Sequence, residues 1–279
     1  MIYPRLSALI FFLFFATRSY ANIPKDFKYL GRPINPLCIG QIINNESLES
    51  PKEAPIIDLA ECSQPKENYK IEKNNDLMSK KGFISIDYTL KDGLGGGYAY
   101  YKYLGKYKDL HILYFLQNSG GSGMFSFILL CKRQGDKIQL ESIIASGDRC
   151  NGGVEEVTFN GTLLNYYVNL TPYDYLALSN FESDSNPEIK NKVKAYDDLA
   201  ACAACCLGSA FYEHDFQQSR LISVDFGKPI SKEEEQTQGQ YQACFNQIVR
   251  DYQKKFQHTL TPDQLNEFIS VFNKECIKP

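Results

Sequence analysis

The sequence predicts an α+β protein: an antiparallel β-sandwich or small barrel of seven to nine strands, closed by a disulfide-linked helical hairpin at the C-terminal end. Three observations lead there. Between Tyr69 and Leu170 short apolar runs are separated by glycine-, asparagine- and aspartate-rich connectors, the rhythm of a small antiparallel β-protein. Tyr and Phe are abundant, 19 and 18, while Trp is absent, a bias that suits sheet surfaces and aromatic-lined grooves. From Ser231 onward the apolar residues instead recur at three- and four-residue spacing, the period of an amphipathic helix.

The chain opens as a secretory signal would. Met1–Arg5 is a short basic start and Leu6–Ala16 is an uncharged apolar core. Ser19 and Ala21 then place small residues before a cut after Ala21. The core is too short to span a bilayer, which takes about 20 residues. Residues 1–21 are therefore expected to be removed, leaving an exported chain, secreted or periplasmic, with no integral membrane segment. The leader holds Arg5 and Arg18 and no acid, so its removal takes the formal charge from −3 to −5. There is no basic block of the kind that nucleic-acid binding requires, and no cationic amphipathic helix for a membrane surface.

Residues 22–80 read as an irregular N-terminal arm, interrupted by Pro24, Pro33, Pro36, Pro51, Pro55 and Pro65, each of which fixes φ and removes a donor. Leu37–Ile43 and Ile56–Cys62 are short apolar pieces within it. Cys38 and Cys62 flank a polar loop, and a bridge between them would close about 25 residues, worth roughly 3 kcal/mol of loop entropy.

Residues 81–230 form the expected β-domain. The strand-like runs are 83–90, 97–105, 110–117, 124–131, 138–146, 154–159 and 163–170. LHILYFLQ and MFSFILLC are nearly continuous apolar runs and should be central strands, with the more alternating runs nearer solvent. Asn160-Gly161 between two strand patterns is a strong hairpin signal, a type I′ turn requiring φ > 0 at both positions. Thr171-Pro172 opens a short helix, cap followed by a proline pre-shaped for the first turn. A polar loop over 181–190 leads to a second helix, about Lys190–Cys206, which carries the CAACC cluster and stops at Gly208. SAFYEHDF and RLISVDFG then resemble a further strand pair that rejoins the sheet.

Residues 231–279 form the helical hairpin. Ser231 to Glu234 fits a capping box, and Thr261-Pro262-Asp263-Gln264 is a second helix start. Cys244 and Cys276 stand equally far from Leu260 in the connector, so an antiparallel hairpin puts them opposite each other, both on apolar faces.

Nine cysteines in an exported chain point to disulfides before metal sites, with one left over. Beyond Cys38–Cys62 and Cys244–Cys276, Cys131 and Cys150 close the two arms of the central hairpin, and Cys150 is expected to join either Cys131 or the cluster Cys202, Cys205 and Cys206. C-x-x-C late in a helix sits at the wrong end for a dipole-stabilised thiolate, and haem attachment needs a histidine where Cys206 stands.

No catalytic set, metal site or cofactor motif emerges. The glycines of Ser119–Gly123 lead into a strand and lack the Gly-Lys-Ser/Thr of a phosphate loop. Ser122 lacks the final glycine and the following helix of a nucleophile elbow. Asp184 to Glu188 lacks the central glycine of a calcium loop. His111 lies in an apolar strand, His258 in the helical connector, and His214 between Glu213 and Asp215. Asn45, Asn160 and Asn169 head glycosylation sequons that matter only in a eukaryotic secretory pathway.

The densest polar hexapeptide is Asp148-Arg149-Cys150-Asn151-Gly152-Gly153. It reads as a stapled turn, and such loops on a rigid β-scaffold carry recognition. The expected ligand-binding residues are Asp148, Arg149 and Asn151, joined by Ser122 of the glycine loop and Tyr100 of an aromatic strand. The functional expectation is a non-catalytic binding protein for an extracytoplasmic protein or glycan. The rival is an exported hydrolase using carboxylates such as Asp148 and Glu213 beside His214.

Overall fold

The computed structural model describes residues 23–44, 55–63, 69–71, 75–91, 95–178, 198–227, 239–256 and 258–277. The expected leader, the Ser231 cap, the Asp184–Glu188 loop and Asn45 lie outside them.

The fold is α+β with a large antiparallel β component, as expected. A small hairpin, β1 (Lys28–Tyr29) and β2 (Arg32–Pro33), precedes helix α1 (Pro36–Asn44). Strand β3 (Ile56–Asp58), the short α2 (Leu59–Cys62), β4 (Tyr69–Ile71) and α3 (Asp76–Lys80) follow. Then come β5 (Ile84–Leu90), β6 (Gly96–Tyr107), β7 (Leu110–Asn118), β8 (Phe125–Gln134) and β9 (Lys137–Asp148). These strands make a seven-stranded half-barrel in the order β3-β9-β8-β7-β6-β5-β4, antiparallel throughout. The two continuous apolar runs are β7 and β8, in its middle.

A second sheet of five strands is built from β10 (Val154–Phe159), β11 (Leu164–Leu170), β12 (Gly208–His214), β13 (Ser219–Asp225) and β14 (Thr259–Leu260), in that order. Helix α4 (Pro172–Ala177) leaves β11, and α5 (Gln240–Phe256) and α6 (Pro262–Glu275) form the helical pair around β14. Thr171 and Thr261 each cap their helix through a reciprocal box, with Asp174 and Gln264 respectively. The start of α5 is capped from afar: Asp198 Oδ2 accepts the backbone N–H of Tyr241 at 2.8 Å.

Three cores hold these layers. On one face of the large sheet, Phe27, Ile39 and Ile42 of the N-terminal region pack against Tyr101, Phe115 and Leu129. On its other face, Ile112, Ile128 and Leu130 meet Val154, Val157, Leu164 and Tyr166 of the second sheet. The third core lies under α5 and α6, where Phe245, Phe268 and Phe272 cover Leu170, Ala210 and Val224. Leu164, Tyr166, Val168 and Leu170 alternate along one strand and so share a face. The second sheet thus divides a single buried face, one end against the large sheet and the other against the helices. Its opposite face carries Asn165, Tyr167 and Phe211, each half-buried.

Several expectations are corrected. Cys131 is not bridged: it is a buried thiol in the first core. Of the two partners expected for Cys150 the cluster supplies it: Cys150 bonds to Cys206, and Cys202 to Cys205. Cys38–Cys62 and Cys244–Cys276 are both bonded. The described end of the expected second helix is not helical, because Cys202 and Cys205 close a tight turn on themselves while Cys206 is drawn to Cys150. Gly208 begins a strand, and a Cβ there would lie 1.8 Å from Asp225 O. The N-terminal arm holds a nine-residue helix, α1, where Asn35 Oδ1 accepts the N–H of Leu37 at 2.9 Å and Pro36 supplies the first turn. The Asn160-Gly161 connection is not a two-residue type I′ turn. Only Gly161 has positive φ, and Asn160 Oδ1 accepts from Thr162 N at 3.0 Å and Leu163 N at 2.8 Å, which lengthens the loop.

Candidate functional site

The hexapeptide after β9 folds back on itself. Asp148 and Asn151 exchange both backbone hydrogen bonds at 2.9 Å, and Arg149 and Gly152 take left-handed φ of 49° and 74°. Glycine is required at 153, where a Cβ would sit 2.1 Å from Arg149 O. Cys150 then ties the turn to Cys206, with its N–H donating to Ala203 O at 3.3 Å. On the far side, Gly152 N donates to Asn169 O and Asn169 N to Gly153 O, so the turn is stitched to β11 as well.

The side chain of Asp148 is largely committed. Its Oδ1 accepts the Met124 N–H at 2.7 Å and the Arg149 Nε–H at 3.0 Å. These two partners, the guanidinium first, hold its carboxyl below the usual carboxylate range. Arg149 lies half-exposed over it. The side chain of Asn151 is exposed, and so is Ser122, in a loop built around Asn118, whose Oδ1 accepts Gly120 N at 2.7 Å and whose Nδ2 donates to Gly121 O at 2.9 Å.

Tyr100 is buried. Its hydroxyl donates to Asp87 and accepts from Asn75 Nδ2 at 3.3 Å, and burial, then the Asp87 carboxylate, drives its pKa well up. The accessible aromatic is its neighbour. Tyr98 stacks on Tyr100 at 4.5 Å and pairs across strands with Asp87 and Asn118. Burial raises its pKa, and the nearby Asp148 carboxylate raises it further. Tyr98 therefore brings Asp148, Arg149, Tyr100 and the base of the Ser122 loop to one end of the large sheet.

From Tyr98 the same face continues to Lys102 of β6 and Tyr114 of β7, which are cross-strand partners. There β10 lies across the large sheet, and the opposite face of the second sheet rises from it. The corner is a cleft of about 430 Å³ lined by Phe83, Lys102, Tyr114, Glu156, Thr158, Asn165, Tyr167 and Phe211, with Val157 at its base. Tyr114 donates its hydroxyl to Val154 O at 2.7 Å, fixing its ring as a wall. Tyr167 and Phe211 are cross-strand partners with ring centroids 5.0 Å apart.

No family model, curated protein or solved structure matches this chain.

The residues of the hydrolase reading do not converge. His214 pairs with Leu164 at one end of β11, whereas the Asp148 turn joins Asn169 near the other, five residues and about 17 Å of strand away. His214 Nδ1 contacts Ser219 Oγ at 3.0 Å, and that hydroxyl meets Tyr166 OH at 2.8 Å. Glu213 is paired with Arg220 at 3.0 Å, and Asp215 caps the turn at Gln217 and Gln218. His111 is buried, with Nδ1 3.1 Å from Tyr103 OH. His258 is half-buried, with Nδ1 3.1 Å from Gly227 O. Among the described residues no group of three or more His, Cys, Asp or Glu is placed to hold a metal ion, and no helix is long and apolar enough to cross a membrane.

Asp148 and Arg149 announce themselves in sequence by concentrating charge between glycines. Tyr98, Lys102, Tyr114, Asn165 and Tyr167 do not. They converge from β6, β7 and β11, and the only signal available was the tyrosine density of YAYYKYLG and LLNYYVNL.

Proposed function

We propose that this chain is an exported, non-catalytic binding protein whose ligand lies along the aromatic track from the Asp148–Arg149 turn, past Tyr98, into the cleft between the sheets. Export is supported by the basic-apolar-small pattern of residues 1–21 together with four disulfides. The single observation that carries the binding reading is the cleft itself. Its volume, about 430 Å³, lies within the range of small-ligand sites, roughly 300–1,000 Å³. Its lining mixes flat aromatic faces with an ammonium, a carboxylate, an amide and a hydroxyl.

That mixture favours a saccharide. The faces of sugar rings are apolar and pack on flat aromatic side chains, while their hydroxyls need donors and acceptors close by. A test is titration of the purified chain with oligosaccharides by calorimetry. Tyr98→Ala and Tyr167→Ala should each weaken binding at least tenfold while leaving the melting temperature within a few degrees. Unchanged affinity in both variants would remove this site assignment.

A protein ligand at the turn is the second reading, favoured by Met124 and Phe125, which are 51% and 39% exposed beside Arg149. Arg149→Ala with Met124→Ala should abolish capture of such a partner and leave saccharide titrations unaltered.

A further inference from the structure

We propose that the cleft floor is a subsite for a carboxylated sugar, a uronate residue of a longer saccharide. The inference rests on the saccharide reading above and names the class of ligand.

Three side chains define the subsite. Lys102 stands on the wall given by the large sheet, half-buried, and among the described residues no carboxylate lies within 4.0 Å of it. A cation held in a concave, partly desolvated place attracts an anion more strongly than one on open surface. Asn165 lines the cleft, and among the described residues its buried Oδ1 has no hydrogen-bond partner. A buried acceptor left unmade is costly, and a turn of the Asn165 amide toward the cleft would let a ligand hydroxyl donate to it. Glu156 stands at the opposite rim, exposed, in a left-handed conformation with φ of 50°. The β10–β11 register shifts between Glu155 and Thr158, and such a bulge re-aims a side chain toward a site.

The chemistry these groups select is specific. A carboxylate pairs with Lys102, a ring hydroxyl donates to Asn165 Oδ1, and further hydroxyls donate to Glu156. The C–H face of the ring lies on the Tyr167–Phe211 pair. A neutral hexose would leave Lys102 unmatched. An extended peptide is disfavoured for a separate reason. It would add to the free edge of β10, the outer strand of its sheet, and the bulge at Glu156 interrupts the row of backbone groups that strand addition needs.

The experiment uses glucuronate-, galacturonate- and mannuronate-containing oligosaccharides, each matched with its carboxyl-reduced counterpart, titrated calorimetrically into the full chain. At least one acidic oligomer is expected to bind ten or more times tighter than its reduced partner. That advantage should vanish in Lys102→Gln, persist in Lys102→Arg and shrink as salt is raised. Equal binding of acidic and reduced oligomers overturns the uronate subsite and leaves the saccharide reading standing. Binding of neither class, with the variants folded by melting temperature, overturns both. Tighter binding of an acidic peptide than of any oligosaccharide overturns the ligand class.

Discussion

Asp148 Oδ1 accepts the backbone N–H of Met124 at 2.7 Å, joining the end of β9 to the entry of β8. The contact closes the open end of the central hairpin and fixes the Ser122 loop relative to the Arg149 guanidinium. Asp148→Ala should cost about 1.5–3 kcal/mol, the range for hydrogen bonds to a charged group. Hydrogen exchange at the Met124 amide should quicken by one to two orders of magnitude. An amide protected as well as in the unaltered chain would show that the carboxylate does not hold this loop.

Gly153→Ala tests the turn from the backbone side. The added methyl would meet Arg149 O at 2.1 Å, and neither atom belongs to a side chain that can swing away. A loss on the order of 2 kcal/mol or more is expected in denaturant unfolding. Gly121→Ala, with nothing within 4 Å of its added carbon, should be nearly neutral.

The covalent framework predicts a thiol count. Cys131 is the one unbridged cysteine, fully buried, and burial pushes its pKa up to about 12. The folded chain should resist alkylation. Denatured without reductant it should take one label, at Cys131, and after reduction nine. Replacing Cys150 and Cys206 together by alanine should cost about 4 kcal/mol on loop-entropy grounds, measured as a fall in unfolding free energy. A label at Cys150 in the unreduced, denatured chain would contradict the pairing.

His111 gives a pH dependence. Burial, acting chiefly, lowers its pKa below the ordinary 6.5, and the nearby Asp26 carboxylate only partly opposes this. The unfolded chain therefore binds the proton more tightly. Stability is full above about pH 6.5 and declines as pH falls through that value toward the lower folded pKa, by at most about 1.4 kcal/mol per pH unit for one group. His214, also lowered by burial, contributes in the same direction. His111→Gln should flatten the slope of melting temperature between pH 7 and 5. An unaltered slope would mean that His111 titrates normally.

The strands were legible in sequence where burial leaves a pattern. LHILYFLQ and MFSFILLC are apolar on both faces because α1 and the N-terminal region cover one side and β10 and β11 the other. In VEEVTF the buried Val154 and Val157 stand three apart, not two, because the bulge at Glu156 interrupts a strand whose other residues are exposed or half-buried. Helix α1 was hidden because its two starting signals, Asn35 and Pro36, also read as loop punctuation. Sequence predicts a helix through CAACC, but two disulfides meeting at the adjacent Cys205 and Cys206 impose a turn there. Half of the candidate site was legible for a similar reason. Asp148 and Arg149 are neighbours in the chain, whereas Lys102 and Asn165 become neighbours only once β10 lies on the large sheet, and no local pattern encodes that placement. The aromatic run YAYYKYLG does not reveal which ring is covered: Tyr100 is buried and bonded to Asn75 Nδ2, whereas Tyr98 is only half-buried.

Val168 and Tyr212 pack against two of the three cores, the one beneath the large sheet and the one beneath the helical pair. Side chains that serve both cannot let go of one partner while keeping the other. The molecule should therefore melt in a single calorimetric step, its van't Hoff and measured enthalpies agreeing, and protease nicking between Phe226 and Gly239 should not liberate an independently folded C-terminal fragment.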